Sequence, residues 1–234
     1  MIRTISYSTH TLRYRLRFSD RKTMAITVYP EGAIEVIAPR GATQEKIENR
    51  LRKRARWVLR QLLYFEQFKP RSPRRRYIGG ESHLYLGRQY RLKLTKSKID
   101  GVKVRGAYLC VASPFCADAH HVKRLVTGWY REKARSRLND RFDAISQRFK
   151  RLKCGSSPPI LRSMSRRWGS FNRAGRVLLN PDLIRAPTAC IDYVITHELI
   201  HLVHPNHSSR FYELLDALMP DWRSRKTRLE KILS

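Results

Sequence analysis

Residues 191–207 read Ile-Asp-Tyr-Val-Ile-Thr-His-Glu-Leu-Ile-His-Leu-Val-His-Pro-Asn-His, and four of the eight histidines of the chain fall within 197–207. On an α-helix, His197 and His201 are about one turn apart and share a face. Two imidazoles placed in this way can bind one zinc ion, at zinc–nitrogen distances of about 2.0–2.1 Å. The pattern therefore predicts a zinc site on a helix. Glu198 lies beside the ligand face, where it can take a proton from a zinc-activated water as the general base.

Two histidines make half of a tetrahedral site, so a third protein ligand is expected. His207 is the best candidate, because Pro205 lacks an amide hydrogen, ends the helix and lets the chain turn back. His204 is an alternative, although the helix would have to bend inward to bring it to the metal. Glu213 or Asp216 on the following helix is a further alternative. Three ligands would leave the fourth position to water, as in catalytic zinc sites.

The helix that carries this motif is predicted to be largely buried. Its other faces hold the apolar residues Ile191, Val194, Ile195, Leu199, Leu202 and Val203. Buried histidines and glutamates need polar partners, because an unpaired polar group in a core costs free energy. A metal ion would satisfy this need. The competing interpretation is that the histidines are hydrogen-bonded core residues or belong to a solvated turn.

The chain is strongly basic, with 49 Lys and Arg against 19 Asp and Glu and a net charge of +30. Between Arg50 and Arg76 there are 11 basic residues and a single acid, Glu66. Arginine forms bidentate contacts with phosphate, so this segment indicates nucleic acid or another polyanion as a partner. A solvated basic face that keeps the protein in solution is the alternative.

The composition is that of a folded protein. The 234 residues, 41% of them hydrophobic, suffice for one large domain or two small ones. No apolar run approaches the roughly 18 residues of a transmembrane helix, and the N-terminus lacks the apolar stretch of a signal peptide, so no membrane association and a cytoplasmic location are expected. Without a Cys-x-x-Cys pair, the four cysteines argue against a thiolate zinc site or a disulfide framework: Cys110, Cys116, Cys154 and Cys190.

Strand patterns dominate the first 115 residues. The alternating segments 11–18, 24–29 and 33–38 predict a β-meander. A helix with an Arg-rich outer face is predicted from Thr43 to about Phe68. A basic loop over 69–80 and four strands near 83–86, 89–94, 101–104 and 108–112 follow. The sequence shows no internal repeat.

From about Asp118 the apolar spacing becomes helical. The predicted elements are a helix to Arg151, a break at 155–159, strands at 160–165 and 177–179, the motif helix to about His204, and helices at 208–218 and after Asp221. The predicted fold class is α+β. An N-terminal, antiparallel β-rich part with one long helix (1–115) precedes a helical part with a small sheet (116–234) that carries the histidine motif.

Several short segments add a second signal to the histidine motif. They are Arg167-Trp-Gly-Ser170, Leu179-Asn-Pro-Asp-Leu-Ile184, Ala186-Pro187, Ile191 to His201, Asn206-His-Ser208 and Phe211, with Gly80-Glu81, Leu86-Gly87 and Tyr90 upstream. Together they resemble the YgjP-like metallopeptidase domain, a family related to SprT-like and WLM zincin peptidases. The likeness covers nearly the whole chain and is most specific from about Ser163 to Phe211.

The resemblance implies a zinc-dependent peptidase with three histidine ligands, here His197, His201 and His207. It also implies that both parts of the chain form one YgjP-like unit, with a zincin-like C-terminal part. The chain departs from the family pattern at Phe171, where the family usually has Cys, and at Tyr212, where it usually has Trp. Neither position is a proposed ligand, but with Phe171 the chain has no thiol at the place where the family usually has one.

Two functional hypotheses follow. The first is a zinc metallopeptidase that hydrolyses protein or peptide substrates with Glu198 as general base. The charge would suit work near nucleic acid, as related SprT-like enzymes act on proteins attached to DNA. The alternative is a basic nucleic-acid-binding module with a structural or vestigial zinc site, for which a closed four-ligand site including His204 would be the signature. A nuclease or phosphatase is less favoured, because two-metal sites need more carboxylates than this region holds.

Overall fold

The computed structural model describes residues 1–29, 31–66, 75–150, 157–164, 167–172 and 175–233. The chain forms two compact units, Met1–Ser72 and Pro73–Leu233. This division differs from the one predicted near residue 115. The reason is that Leu92 and Leu109, from the strands before residue 115, share one buried core with Val122 of the helix that follows.

The first unit packs one helix on one face of a four-stranded sheet. Its elements are β1 (Ile2–Tyr7), β2 (His10–Ser19), β3 (Ala25–Val28), β4 (Ile34–Pro39) and α1 (Gln44–Glu66). Alternate residues of β2, such as Leu12 and Leu16, share a buried cluster with Ile47 and Leu51 of α1. The two apolar periodicities of the sequence, two in the strand and about 3.6 in the helix, therefore meet in one core.

The strand order of this sheet is β1-β2-β4-β3, and β2 pairs with β4 in parallel. The prediction of a meander is therefore wrong, although the other two pairings of this sheet are antiparallel as expected. β3 pairs antiparallel with β4 on the side away from β2. Alternation shows which face of a strand is buried, but it does not determine which strand lies beside it.

The second unit begins with a sheet of the same topology. Its elements are β5 (Ser82–Tyr85), β6 (Arg88–Lys96), β7 (Gly101–Arg105), β8 (Tyr108–Ser113) and α2 (Ala119–Lys150). The order is β5-β6-β8-β7, and β6 pairs with β8 in parallel. A β-β-β-β-α arrangement thus occurs twice. The sequence itself shows no internal repeat, because the repetition lies in the strand pairing.

The remaining elements surround the histidine motif. They are β9 (Ile160–Leu161), β10 (Gly169–Phe171), β11 (Val177–Leu179), a 3-10 helix (Pro181–Arg185), α3 (Thr188–Ile200), α4 (Ser209–Leu218) and α5 (Trp222–Leu233). The small sheet has the order β10-β11-β9. The predicted α+β class is confirmed by these helices and sheets.

Helix α3 is the central element of this region, and most of its side chains are buried. It begins after Pro187 and is tied to α2 by Arg141, whose guanidinium donates two 2.8 Å hydrogen bonds to Asp192. The helix ends at Ile200, earlier than the predicted end near His204. The backbone forms a turn there, in which the amides of Val203 and His204 both donate to the Ile200 carbonyl.

Among the described residues, no helix combines the length and apolar character that crossing a membrane requires. The cytoplasmic location stays a prediction. Parts of several predicted features lie outside the described residues, namely Pro30 of the turn before β4, residues 67–74 of the basic segment, Cys154, residues 155–156 of the break, Ser165 and residues 173–174.

Candidate metal centre

Three histidines converge where α3 ends. His197 lies in the last turn of α3, His201 directly follows the helix, and His207 lies in the loop before α4. One ring nitrogen from each lies within 4.8 Å of the other two, and the Nε2 atoms of His197 and His207 are 3.0 Å apart. Ligand nitrogens at about 2.05 Å from a tetrahedral zinc ion are roughly 3.3 Å apart. The three imidazoles therefore offer the donor type that zinc prefers, and the separation of His197 and His207 is close to the tetrahedral value.

The orientation of His201 is set by a backbone group. Its Nδ1 donates to the carbonyl oxygen of His204 at 3.1 Å, and because a carbonyl can only accept, Nδ1 carries the proton. The lone pair of Nε2 is then free for a metal, an arrangement common in zinc sites. His204 thus contributes its backbone, and its ring is outside the group of three.

The carboxylates considered as alternative third ligands are also outside this group. Within the described part of the chain, the residues close enough to share an ion include neither Glu213 nor Asp216. The Oδ1 atom of Asp216 accepts hydrogen bonds from Trp222 Nε1 at 2.8 Å and from Arg223 at 2.7 Å. Its carboxylate is therefore engaged in joining α4 to α5.

A single aromatic ring packs against all three imidazoles. The centroid of Phe211, fully buried on α4, lies 5.0, 4.8 and 4.7 Å from those of His197, His201 and His207. The Nδ1 atom of His197 is buried and has no hydrogen-bond partner among the described residues. Packing against Phe211 therefore has to orient the His197 ring without the help of such a bond. In the sequence, Phe211 stands out only as part of the family pattern.

The surroundings of His197 and His207 favour the neutral form of each imidazole. Desolvation, helped by the charges of the other two histidines and of Lys226, lowers the pKa of His197 to about 3. Burial, with His201 and Lys226, also lowers the pKa of His207. A neutral imidazole is the form that binds a metal, so at neutral pH these side chains are ready to act as ligands.

Glu198 lies on α3 next to this cluster and is itself buried. Burial raises the pKa of its carboxyl to about 7, and the positive charge of Arg167 opposes the shift. A carboxyl with a pKa near neutrality can both accept and release a proton at physiological pH. Strand β10 passes directly beside it, since Gly169 is in contact with the Glu198 side chain.

Strand β10 is an edge strand of the small sheet, as far as the structure describes that sheet. The amide of Asn180 donates to the Trp168 carbonyl at 2.9 Å, and the amide of Asn172 donates to the Arg176 carbonyl at 3.0 Å. The intervening Gly169 therefore occupies a non-hydrogen-bonded position, with its N–H and C=O directed away from β11. Within the described residues, β10 pairs with β11 alone. An extended peptide could pair with this edge.

An aromatic stack that the sequence analysis missed borders the cluster. Trp222 of α5 stacks between Tyr193 of α3 and Tyr212 of α4, with ring centroids 6.1 and 5.7 Å away. Tyr193 lies one helical turn before His197, and their rings are 5.9 Å apart. The stack anchors α5 beside the side of α3 that carries His197. Tyr212 can take part in it although the family usually has Trp there.

Comparison with models of protein families gives a match. The family model described as YgjP-like, metallopeptidase domain, matches residues 22–232. This range contains the three converging histidines, Glu198 and both four-stranded sheets except for β1 and β2. The searches of curated proteins and of solved structures found no match.

Proposed function

The chain belongs to the YgjP-like metallopeptidase family, and from this premise we propose that it is a zinc-dependent peptidase with His197, His201 and His207 as metal ligands. The observation that carries the proposal is the convergence of three imidazole nitrogens, within 4.8 Å of one another, beside a buried carboxylate. Three nitrogen ligands leave one tetrahedral position open, which is the arrangement of catalytic rather than structural zinc.

In the proposed hydrolysis the zinc ion and the protein side chains would have different roles. Zinc bound here would supply a Lewis acid that polarises the peptide carbonyl and lowers the pKa of a water molecule to near 7. An Oε atom of Glu198 accepts the proton of that water and delivers it to the leaving amine. In the metal-free protein burial raises the pKa of Glu198 to about 7, and bound zinc would lower it and so favour the ionised form that accepts the proton.

We infer that the substrate is a protein or peptide in an extended conformation. The support is strand β10, which passes Glu198 and, among the described residues, pairs on one side only, with β11, so that an extended peptide would add to its other side. Main-chain pairing of this kind provides affinity with little dependence on sequence, because it uses groups that every peptide has.

Substitution of Glu198 by Gln tests the mechanism. Glutamine has the same shape but cannot accept the proton, so the variant should bind one zinc ion per chain and hydrolyse labelled casein about 10²–10⁴-fold more slowly. Zinc is measured by atomic emission. The matched control is Glu213→Gln, which removes an exposed carboxylate of α4 and should leave the rate unchanged. Equal rates for Glu198→Gln and wild type would refute the assignment.

Nucleic-acid binding is a second candidate function, and the outer face of α1 favours it. The exposed residues Lys53, Arg56 and Arg60 lie around Trp57, an aromatic side chain that is itself 37% exposed. Their spacing places them opposite the buried Ala55. Positive charge combined with an exposed aromatic ring suits single-stranded nucleic acid, whose phosphates pair with cations and whose bases stack. We propose this surface as an additional binding site.

A salt titration of oligonucleotide binding tests the second candidate. Binding should weaken steeply between low and physiological salt, and Arg56→Ala/Arg60→Ala should lower both the affinity and the salt slope. The control is Arg131→Ala/Arg135→Ala, which removes two exposed charges of the same spacing from α2. Affinity that hardly changes with salt, or equal losses in both double variants, would contradict a site on α1.

A further inference from the structure

Glycine occupies position 169, where β10 passes the buried carboxylate of α3. We propose that Gly169 is a positioning residue. Because glycine has no side chain, there is room at this point for the Glu198 carboxylate. Gly169 thereby sets the position of that carboxylate beside the three histidines. The inference rests on the proposed function, because it concerns the reaction in which Glu198 would act.

The contact is tight, and its three nearest atoms belong to one side chain. A Cβ atom added to Gly169 would lie 2.7 Å from Cγ, 2.7 Å from Oε1 and 2.9 Å from Cδ of Glu198. Non-bonded carbon contacts are optimal at about 3.5–4.0 Å, so these separations are strongly repulsive. All three of the nearest atoms belong to Glu198. An alanine at position 169 would therefore press on this side chain first.

The backbone does not explain the glycine. Gly169 is absent from the residues with positive φ and lies in regular strand pairing opposite Leu179. Gly87 is different, since its φ is +77° and a Cβ there would meet Pro187 at 2.6 Å. At position 169 the backbone would accept either residue, and alanine differs from glycine in that its Cβ would enter the space that Glu198 occupies.

Neither backbone can easily retreat from this contact. On the helix side, Ile195 and Leu199 are fully buried in the core. On the strand side, the hydrogen bond from the Asn180 amide to the Trp168 carbonyl holds β10 against β11. The Glu198 side chain would therefore have to rotate away. A misplacement of about 1 Å at a reacting group can cost roughly 100-fold in rate.

The first experiment compares Gly169→Ala with wild type in the full-length chain. We expect one zinc ion per chain, a KM for a fluorogenic casein peptide within about twofold of wild type, and a kcat lower by roughly 100-fold. The control is Gly101→Ala in β7, a strand glycine whose added Cβ would have no atom within 4 Å. Its kcat should be unchanged.

The second experiment needs no substrate. Glu198→Ala removes Cγ, Cδ and Oε1, the three atoms that the new Cβ would meet. Gly169→Ala should lower the melting temperature of the zinc-loaded protein by about 3–8 °C when Glu198 is present. In the Glu198→Ala background the same substitution should lower it by less than about 1 °C, because the repulsion is gone.

The outcomes separate this inference from the proposed function. Wild-type kcat in Gly169→Ala overturns the inference, while inactivity of Glu198→Gln would still support the peptidase mechanism. Full activity of Glu198→Gln overturns the mechanism, and the stability experiment would still test the contact. Equal melting losses in both backgrounds, or loss of zinc from Gly169→Ala, also overturn the inference, because the glycine would then serve the fold or the metal.

Discussion

Phe211 shows how an apolar residue can hold together the histidines of a proposed metal site. Its ring contacts the three imidazoles at 4.7–5.0 Å and is supported from behind by the core around α4. The motif identified His197, His201 and Glu198 because their roles depend on residue type and helical spacing. Phe211 has no such signature, since any apolar residue fits the periodicity of α4.

We predict that Phe211→Leu weakens zinc binding by about tenfold, because the smaller side chain lets the imidazoles turn away from a common point. Competition with a fluorescent chelator measures the affinity. The control is Phe142→Leu, which replaces another fully buried phenylalanine, on α2. It should destabilise the protein comparably and leave zinc affinity unchanged. Similar affinities in the two variants would show that Phe211 acts through stability alone.

At the scale of elements, α3 is positioned by its neighbours. The Arg141–Asp192 pair joins it to α2, and the Tyr193–Trp222 stack joins it to α5. The sequence predicted where these helices begin and end to within a few residues, because apolar spacing and prolines are local features. It did not predict these contacts, which join residues about 30 to 50 positions apart.

Asp192→Asn should lower the free energy of unfolding by about 1 kcal/mol. The substitution removes the charge that accepts both guanidinium bonds, but Arg141 is partly exposed and can turn to water. Urea unfolding of the zinc-free protein measures the change. In Asp221→Asn, which breaks an exposed pair with Arg225 on α5, the loss should stay below about 0.5 kcal/mol. Equal losses in the two variants would show that the Arg141–Asp192 pair between α2 and α3 contributes no more to stability than the Asp221–Arg225 pair does.

At the scale of the whole molecule, two units each contain a β-β-β-β-α arrangement, and the second continues into the histidine cluster. In the second unit, the fully buried His83 lies between Glu81 and Arg75. Burial and the charge of Arg75 lower its pKa to about 4, although Glu81 acts in the opposite direction. The second unit is therefore expected to respond to acid.

The sign of this response follows from proton uptake. In the unfolded chain His83 gains a proton below its ordinary pKa of 6.5, whereas in the folded chain it does so only near pH 4. The free energy of unfolding should therefore fall as the pH drops from about 6.5 to 4. Urea unfolding of zinc-free protein at pH 7 and pH 5 measures this fall, which should be smaller in His83→Gln. An equal fall in both proteins would assign the acid response to other groups.

By itself, the sequence determined the class of the fold, the approximate bounds of most elements, the family and the residues proposed to bind zinc, because periodicity, proline positions and the histidine spacing are written along the chain. Only the tertiary structure decided the parallel pairing of β2 with β4, the place where the two units divide, and the contacts of Phe211 and Gly169 with the site. These features depend on which distant segments pack together, and many pairings are compatible with the same pattern of apolar residues.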